Sequence, residues 1–114
     1  MAIRRENSHI RYDPTTATGT CQGSLRLRGS AEYAPLLQLL KQAAEAQPAM
    51  LTLDIRALQF LNSSGIYTLS RFVFQLRKHN VSQIVIKGSR QFPWQEKPLR
   101  NFQRLVPRLQ LEIE

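Results

Sequence analysis

The sequence is poor in the residues from which proteins build catalytic centres. Its 114 residues include one cysteine, Cys21, and two histidines, His9 and His79. A lone cysteine cannot form an internal disulfide, and its scarcity fits a reducing cytoplasm. Because neither histidine is close to Cys21 in the sequence, we predict a small buried hydrophobe at this position rather than a nucleophile.

Motifs that bind phosphate or metal ions are also absent. The chain has no GxxxxGK or GxGxxG loop, and it has no CxxC, HExxH or cluster of carboxylates. Its two aspartates, Asp13 and Asp54, are predicted to lie in a turn and on a strand. We therefore expect no catalytic residue, no metal site, no cofactor and no enzymatic activity.

Long apolar runs are missing as well. The longest ones are too short to cross a bilayer, and the N-terminal MAIRRENSH lacks the apolar core of a secretory signal. We expect a cytoplasmic protein that makes no contact with a membrane. The length leaves room for one domain over residues 1–114, with residues 1–7 as a loose N-terminal arm.

Acidic residues are scarce compared with basic ones, and the net charge is +8. The lysines and arginines are scattered between Arg4 and Arg108 without a long run. This pattern favours a solvated basic surface first, an acidic protein partner second and nucleic acid last. In the last case, Phe92 and Trp94 would be candidates for stacking on bases.

What the sequence does contain is an apolar spacing that predicts strands alternating with helices. HIRYD indicates a short strand, and the alternation of leucine and arginine in SLRLRG, residues 24–29, indicates a second one. Ser30 is a suitable N-cap for a helix that carries Leu36 and Leu40 on one side. The later pattern predicts a strand over residues 50–61, a helix over 63–80, a strand over 81–89, a helix over 98–105 and a strand over 109–114.

This order of elements predicts the α/β class. After an initial hairpin, strands and helices alternate, which favours a mixed, mostly parallel sheet with right-handed crossovers and helices packed against it. The N-terminal strand should be antiparallel to its neighbour. The strands around Leu53 and Val85 should be adjacent and parallel.

The polar cluster Asn-Ser-Ser-Gly at residues 62–65 marks the start of a predicted helix. Asn62 or Ser63 would cap the free amides, a contribution of about 1 kcal/mol, and Gly65 would allow close packing. In open α/β sheets functional sites gather at the carboxyl ends of strands, where this cluster lies. A hydroxyl there also suits a phosphate, because the free amides and the helix dipole stabilise the added dianion.

At this point the chain resembles a known family. Residues 51–88, LTLDIRALQFLNSSGIYTLSRFVFQLRKHNVSQIVIKG, are similar to the centre of a STAS domain, the fold of bacterial anti-sigma-factor antagonists. Asp54 falls at the family's strand aspartate, and Phe60 and Leu61 fall at its apolar corner. The serines and the glycine fall on the Asp-Ser-Ser-Gly motif that opens the family's helix. The upstream SLRLRGSAEYAPLLQLLKQA is similar to the family's second strand and first helix.

The resemblance implies a signalling cycle called partner switching, whose output in the family is transcription. A partner serine kinase, which is also the anti-sigma factor, phosphorylates the first serine of the motif, and a PP2C-type phosphatase removes the phosphate. By position the acceptor here is Ser63, with Ser64 as the alternate, and Asn62, Ser64 and Gly65 join the partner-binding surface. Asn62 departs from the family's aspartate, since it keeps the cap geometry but loses the negative charge.

A second row of side chains on the same predicted helix indicates a surface that faces a partner. The predicted core stripe of this helix consists of Ile66, Leu69, Val73 and Leu76. The second row, Tyr67, Arg71, Phe74 and Lys78, also recurs at helical spacing and lies away from that stripe. Aromatic residues interleaved with cations are enriched in protein interfaces. The alternative is that Phe74 packs under a loop.

The residues and the resemblance together predict a cytoplasmic regulatory module that binds a protein and is switched by serine phosphorylation. Because of Asn62, the first alternative is a STAS-like scaffold that assembles proteins without being phosphorylated. The second alternative is a basic module that binds nucleic acid. The sequence leaves open whether the chain forms a homo-oligomer.

Overall fold

One mixed sheet organises the chain in the computed structural model, which describes residues 2–5, 7–76 and 83–114. In this described part the chain forms six strands and three helices. They are β1 (Ala2–Arg5), β2 (Ser8–Asp13), β3 (Thr18–Leu25), α1 (Gly29–Glu45), β4 (Met50–Leu61), α2 (Ser63–Gln75), β5 (Gln83–Gly88), α3 (Glu96–Leu105) and β6 (Gln110–Ile113).

The strands lie in the sheet in the same order as in the sequence. The pairs β1–β2 and β2–β3 are antiparallel. The pairs β3–β4, β4–β5 and β5–β6 are parallel. Thr52 pairs with Val85, and Leu53 pairs with Ile86, which confirms the predicted parallel neighbours. Helix α2 packs against both α1 and α3, so the three helices form one layer, as expected when right-handed crossovers each move one strand further along the sheet.

The core lies between this helical layer and the sheet. The predicted stripe of α2 is buried at Leu69, Val73 and Leu76, and Ile66 is half-buried. Cys21 is 2% exposed, as predicted for a small hydrophobe. Its burial, together with the nearby carboxylate of Asp54, raises the pKa of the thiol to about 12.

The N-terminal strands differ from those predicted. Residues 2–5, expected in a loose arm, form β1 and pair with β2. The second strand of the hairpin is Thr18–Leu25 rather than residues 24–29. Its sequence, TGTCQGSL, contains two glycines and lacks a regular apolar alternation, so pairing with a neighbour on each side decides its structure. The leucine-arginine alternation instead continues into the connection to α1.

The helix ends agree only in part with the sequence pattern. Arg28 rather than Ser30 is the N-cap of α1, and the carboxylate of Glu32 accepts a hydrogen bond from the Arg28 amide at 3.1 Å. Asn80, the predicted end of α2, lies outside the described residues. None of the described helices combines the length and the apolar character needed to span a membrane.

Candidate protein-binding site

The polar cluster at residues 62–65 forms the junction between β4 and α2. Asn62 is the N-cap of α2, and its Oδ1 accepts a hydrogen bond from the Gly65 amide at 3.0 Å. The Asn62 carbonyl accepts the first bond of the helical ladder from the Ile66 amide at 2.9 Å. The predicted capping role is therefore confirmed.

The rest of the Asn62 side chain joins three elements inside the molecule. Its Oδ1 also lies 2.6 Å from the hydroxyl of Tyr33 on α1, and its Nδ2 donates to the Leu27 carbonyl at 2.7 Å. An aspartate would place a carboxylate oxygen against that carbonyl, where no donor would lie between the two oxygens. Asparagine is thus matched to its surroundings in this chain. Both polar atoms of this half-buried side chain are used inside the molecule, and its predicted place in the partner-binding set stays a prediction.

Gly65 also has an internal role. It is buried, and a Cβ atom at this position would overlap the Leu61 side chain and lie 2.7 Å from the Tyr33 hydroxyl oxygen. The glycine therefore allows α1 and β4 to approach the first turn of α2 closely. The predicted close packing at Gly65 is therefore confirmed, and its predicted place in the partner-binding set stays a prediction.

The two serines of the cluster have different surroundings. Ser63 is exposed as the first residue of α2, and its hydroxyl makes no hydrogen bond within the described part of the chain. Ser64 is half-buried, and its carbonyl accepts a hydrogen bond from the Thr68 hydroxyl at 2.9 Å. Of the two predicted phosphate acceptors, Ser63 is the more accessible.

The second row of α2 faces outwards, as its spacing predicts. The side chain of Tyr67 is 60% exposed and that of Phe74 is 46% exposed. The Arg71 guanidinium lies 5.9 Å from the centre of the Tyr67 ring, close enough for a cation–π contact. Lys78, the fourth member of the row, lies outside the described residues.

A groove runs along α2 on the side that faces α3, and we call it the α2–α3 groove. One part, of about 360 Å³, begins beside Ser63, and a second part, of about 280 Å³, ends beside Phe74. The two parts share Ser70 and Leu105. Leu105 is 40% exposed, and nothing in the sequence indicated its place in a groove, because that place depends on α3 lying beside α2.

The segment before α3, with its two aromatic residues, has a structural role at Trp94. The indole Nε1 of Trp94 donates to the Leu58 carbonyl at 3.1 Å, and the ring packs against the core. Phe92 is half-buried. A base-stacking platform would need an accessible ring face, so this placement gives the nucleic-acid hypothesis little support.

Gln95 is a buried polar residue whose role the sequence did not reveal. Its Nε2 donates to the carbonyls of Ile55 and Leu58 at 2.8 and 2.9 Å, and its Oε1 accepts from the Ser89 amide at 2.8 Å. These bonds satisfy backbone groups near the end of β4, where the ladder to β5 has stopped. The spacing of apolar residues gives no indication that Gln95 is buried and hydrogen-bonded to the backbone.

The titratable groups of the described chain do not converge on a reactive centre. Asp54 accepts hydrogen bonds from the Arg56 side chain at 3.0 and 2.8 Å, and this pairing holds the pKa of its carboxyl below the ordinary value. Arg56 also contacts Glu114 at 2.9 Å. Within the described residues, no group of three histidine, cysteine or acidic side chains could hold a metal ion.

Comparison with known proteins gives no match in sequence but a clear one in fold. No family model matches the chain, and no curated protein matches it either. SiaC of Pseudomonas aeruginosa superposes with a TM-score of 0.75 at 17% identity, over 100% of this chain and 96% of that chain. A chain in the crystal structure of the P. aeruginosa diguanylate cyclase SiaD with its activator SiaC superposes with a TM-score of 0.73 at 15% identity, over 100% of this chain and 99% of that chain. Apo-SiaC from P. aeruginosa superposes with a TM-score of 0.70 at 13% identity, over 100% of this chain and 98% of that chain.

The likeness to SiaC shows a shared fold. It covers both chains almost from end to end, so it concerns the whole domain rather than one motif. The predicted α/β class and STAS-like arrangement, a mixed sheet of six strands with three helices in the described residues, are thereby confirmed.

Proposed function

We propose that this chain is a regulatory module that binds a signalling protein through the outward side of α2 and carries out no catalysis itself. The observation that carries the proposal is the position of Ser63. Ser63 is the exposed first residue of α2, its hydroxyl makes no hydrogen bond to the residues that the structure describes, and the exposed Tyr67 ring lies one turn further along the helix. A modified Ser63 would therefore lie at the edge of any partner bound to this side.

The comparisons support a protein-binding role. SiaC is described as the activator of the diguanylate cyclase SiaD and has been crystallised in complex with it. A chain with the same fold and an exposed aromatic row on α2 is suited to a similar kind of contact. The proposed partners are a serine kinase of the anti-sigma-factor type, which adds a phosphate to Ser63, and a PP2C-type phosphatase, which removes it.

The physics of the site favours a phosphate that changes binding rather than folding. A phosphoserine carries roughly −1.5 to −2 charges at neutral pH, and the free amides at the start of α2 stabilise that charge. In a desolvated interface the same dianion is costly unless the partner supplies a cation. About 5.5 kcal/mol of differential affinity would move the partner from mostly bound to mostly free.

Intact-mass analysis of the chain purified from its native cells tests this proposal. We expect a species heavier by about 80 Da, the mass of one phosphoryl group, and peptide mapping should place it on Ser63. A Ser63→Ala variant should lack this species, and a Ser64→Ala variant should retain it. If the protein stays unmodified, including in cells treated to inhibit phosphatases, the proposed switch is wrong.

A scaffold that is never phosphorylated is a second candidate. It is favoured by Asn62, which is committed to the Leu27 carbonyl and supplies no carboxylate next to Ser63. In that case Tyr67→Ala would still reduce binding of the partner. Ser63→Ala and the unmodified chain would behave alike in cells that contain the kinase.

A further inference from the structure

The α2–α3 groove is long enough to bind a helix. It extends from Ser63 to Phe74, almost the whole of α2, which corresponds to roughly 16 Å or three helical turns. Its apolar wall includes Ile66, Phe102 and Leu105 in the first part and Phe74 with Leu105 in the second, so a ligand would bury hydrocarbon in both parts. An apolar groove between two helices can bind the apolar side of a third helix.

Basic side chains outnumber acidic ones on the two helices beside the groove. None of its lining residues is acidic, and α2 has no acidic residue. The only acidic residue of α3 is Glu96, which Arg100 contacts at 2.9 Å and Arg90 at 3.5 Å. Arg71, Lys97 and Arg104 are exposed on the two helices. A ligand with acidic residues beside its apolar stripe would complement these three basic side chains.

We infer that the α2–α3 groove binds an amphipathic helix of the partner protein that carries acidic side chains beside its apolar stripe. The inference rests on the proposed function, because it names the partner element bound at the same site. It also gives a reason for the switch. A phosphate on Ser63 would place a dianion at one end of the groove, where it would repel an acidic helix.

A pair of synthetic peptides tests the inference on the full chain. One peptide, of about four helical turns (~15 residues), has leucines at positions i, i+3, i+4 and i+7 and glutamates elsewhere, and the other replaces every glutamate by lysine. We expect the acidic peptide to bind more tightly by roughly tenfold or more at low salt. In NMR titrations, shifts should concentrate on the amides of Ile66, Ser70, Asn101 and Leu105.

Two variants provide a matched control, since both replace an exposed apolar side chain by a charge. Leu105→Glu, in the groove, should abolish binding of the acidic peptide. Met50→Glu, at the start of β4, should leave binding unchanged, because Met50 is 46% exposed but lies outside the lining of the groove. Thermal unfolding of both variants would show that they are folded.

Three results would overturn the inference. They are equal binding of the two peptides, shifts that map away from the groove, and dimerisation of the chain that Leu105→Glu abolishes, which would assign the groove to a second copy. The proposed function is tested separately by phosphate on Ser63. If binding of a native partner depended on that phosphate but not on Leu105, the proposed function would be supported and the inference that the groove binds a helix would be wrong.

Discussion

The two sides of α2 differ in what determines their residues. On the inner side, Gly65, Thr68 and Phe72 are buried, and Gly65 is enclosed by Leu61 of β4 and Tyr33 of α1. On the outer side, Ser63 and Tyr67 are exposed, and the fold does not require their side chains. Substitutions should therefore affect stability on one side and binding on the other.

Gly65→Ala should give the largest effect and is the most severe test of the inner side. The added Cβ would overlap Leu61 and crowd the Tyr33 hydroxyl, an overpacking that we expect to lower the free energy of unfolding by about 3 kcal/mol. Urea denaturation followed by circular dichroism measures this change. An unchanged midpoint would show that α1 and α2 are not held together as described. Ser63→Ala, two residues earlier, is the control and should change stability by less than about 0.5 kcal/mol.

Tyr67→Ala tests the outer side. We expect a loss of about 2 kcal/mol in partner affinity, measured by calorimetry, because aromatic residues in interfaces commonly act as hot spots. The melting temperature should stay within a few degrees of the parent, since the ring is 60% exposed. The opposite pattern, reduced stability and full affinity, would place Tyr67 on the inner side.

Asn62→Asp tests the boundary between the two sides. The new carboxylate would keep the cap but lose the donor to the Leu27 carbonyl, at a cost of about 1–2 kcal/mol in unfolding free energy at neutral pH. Asn62→Ala, which loses both the cap and the donor, should cost at least as much. A more stable aspartate variant would mean that the amide is not matched to Leu27.

Asp54→Asn should give the smallest effect and lies on neither side of α2. The pKa of Asp54 is lowered in the folded chain, so its stabilising contribution is present above the ordinary value of 3.8 and is lost as the pH falls through the folded-state pKa. We expect about 0.5–1 kcal/mol less stability at pH 7, because the partner Arg56 is 41% exposed. The variant and the parent should converge once the pH has fallen below that folded-state pKa. A difference that persists there would require a cause other than the charge.

The sequence predicted the elements with strong apolar periodicity and missed those set by pairing. The parallel strands around Leu53 and Val85, and the buried stripe of α2, follow from spacing alone. β1 and the start of β3 do not, because their short polar sequences are held by the strands beside them.

The candidate site divides in the same way. The exposure of Tyr67 and Phe74 could be predicted from helical spacing. The helix cap at Asn62 and the close packing at Gly65 could also be predicted, but their contacts with Tyr33 and Leu27 could not, because those residues are distant in the sequence. The groove required α3 to be placed beside α2.

The most direct test of the account is the partner affinity of chain that is homogeneously phosphorylated at Ser63. The partner is first identified by cross-linking from position 67 and then purified. We expect phosphorylation to weaken binding by roughly tenfold or more, with unfolding free energy almost unchanged and Ser63→Ala binding like the unmodified chain. Equal affinity of the phosphorylated and unmodified chains would contradict the account and leave residues 62–65 as a helix cap alone.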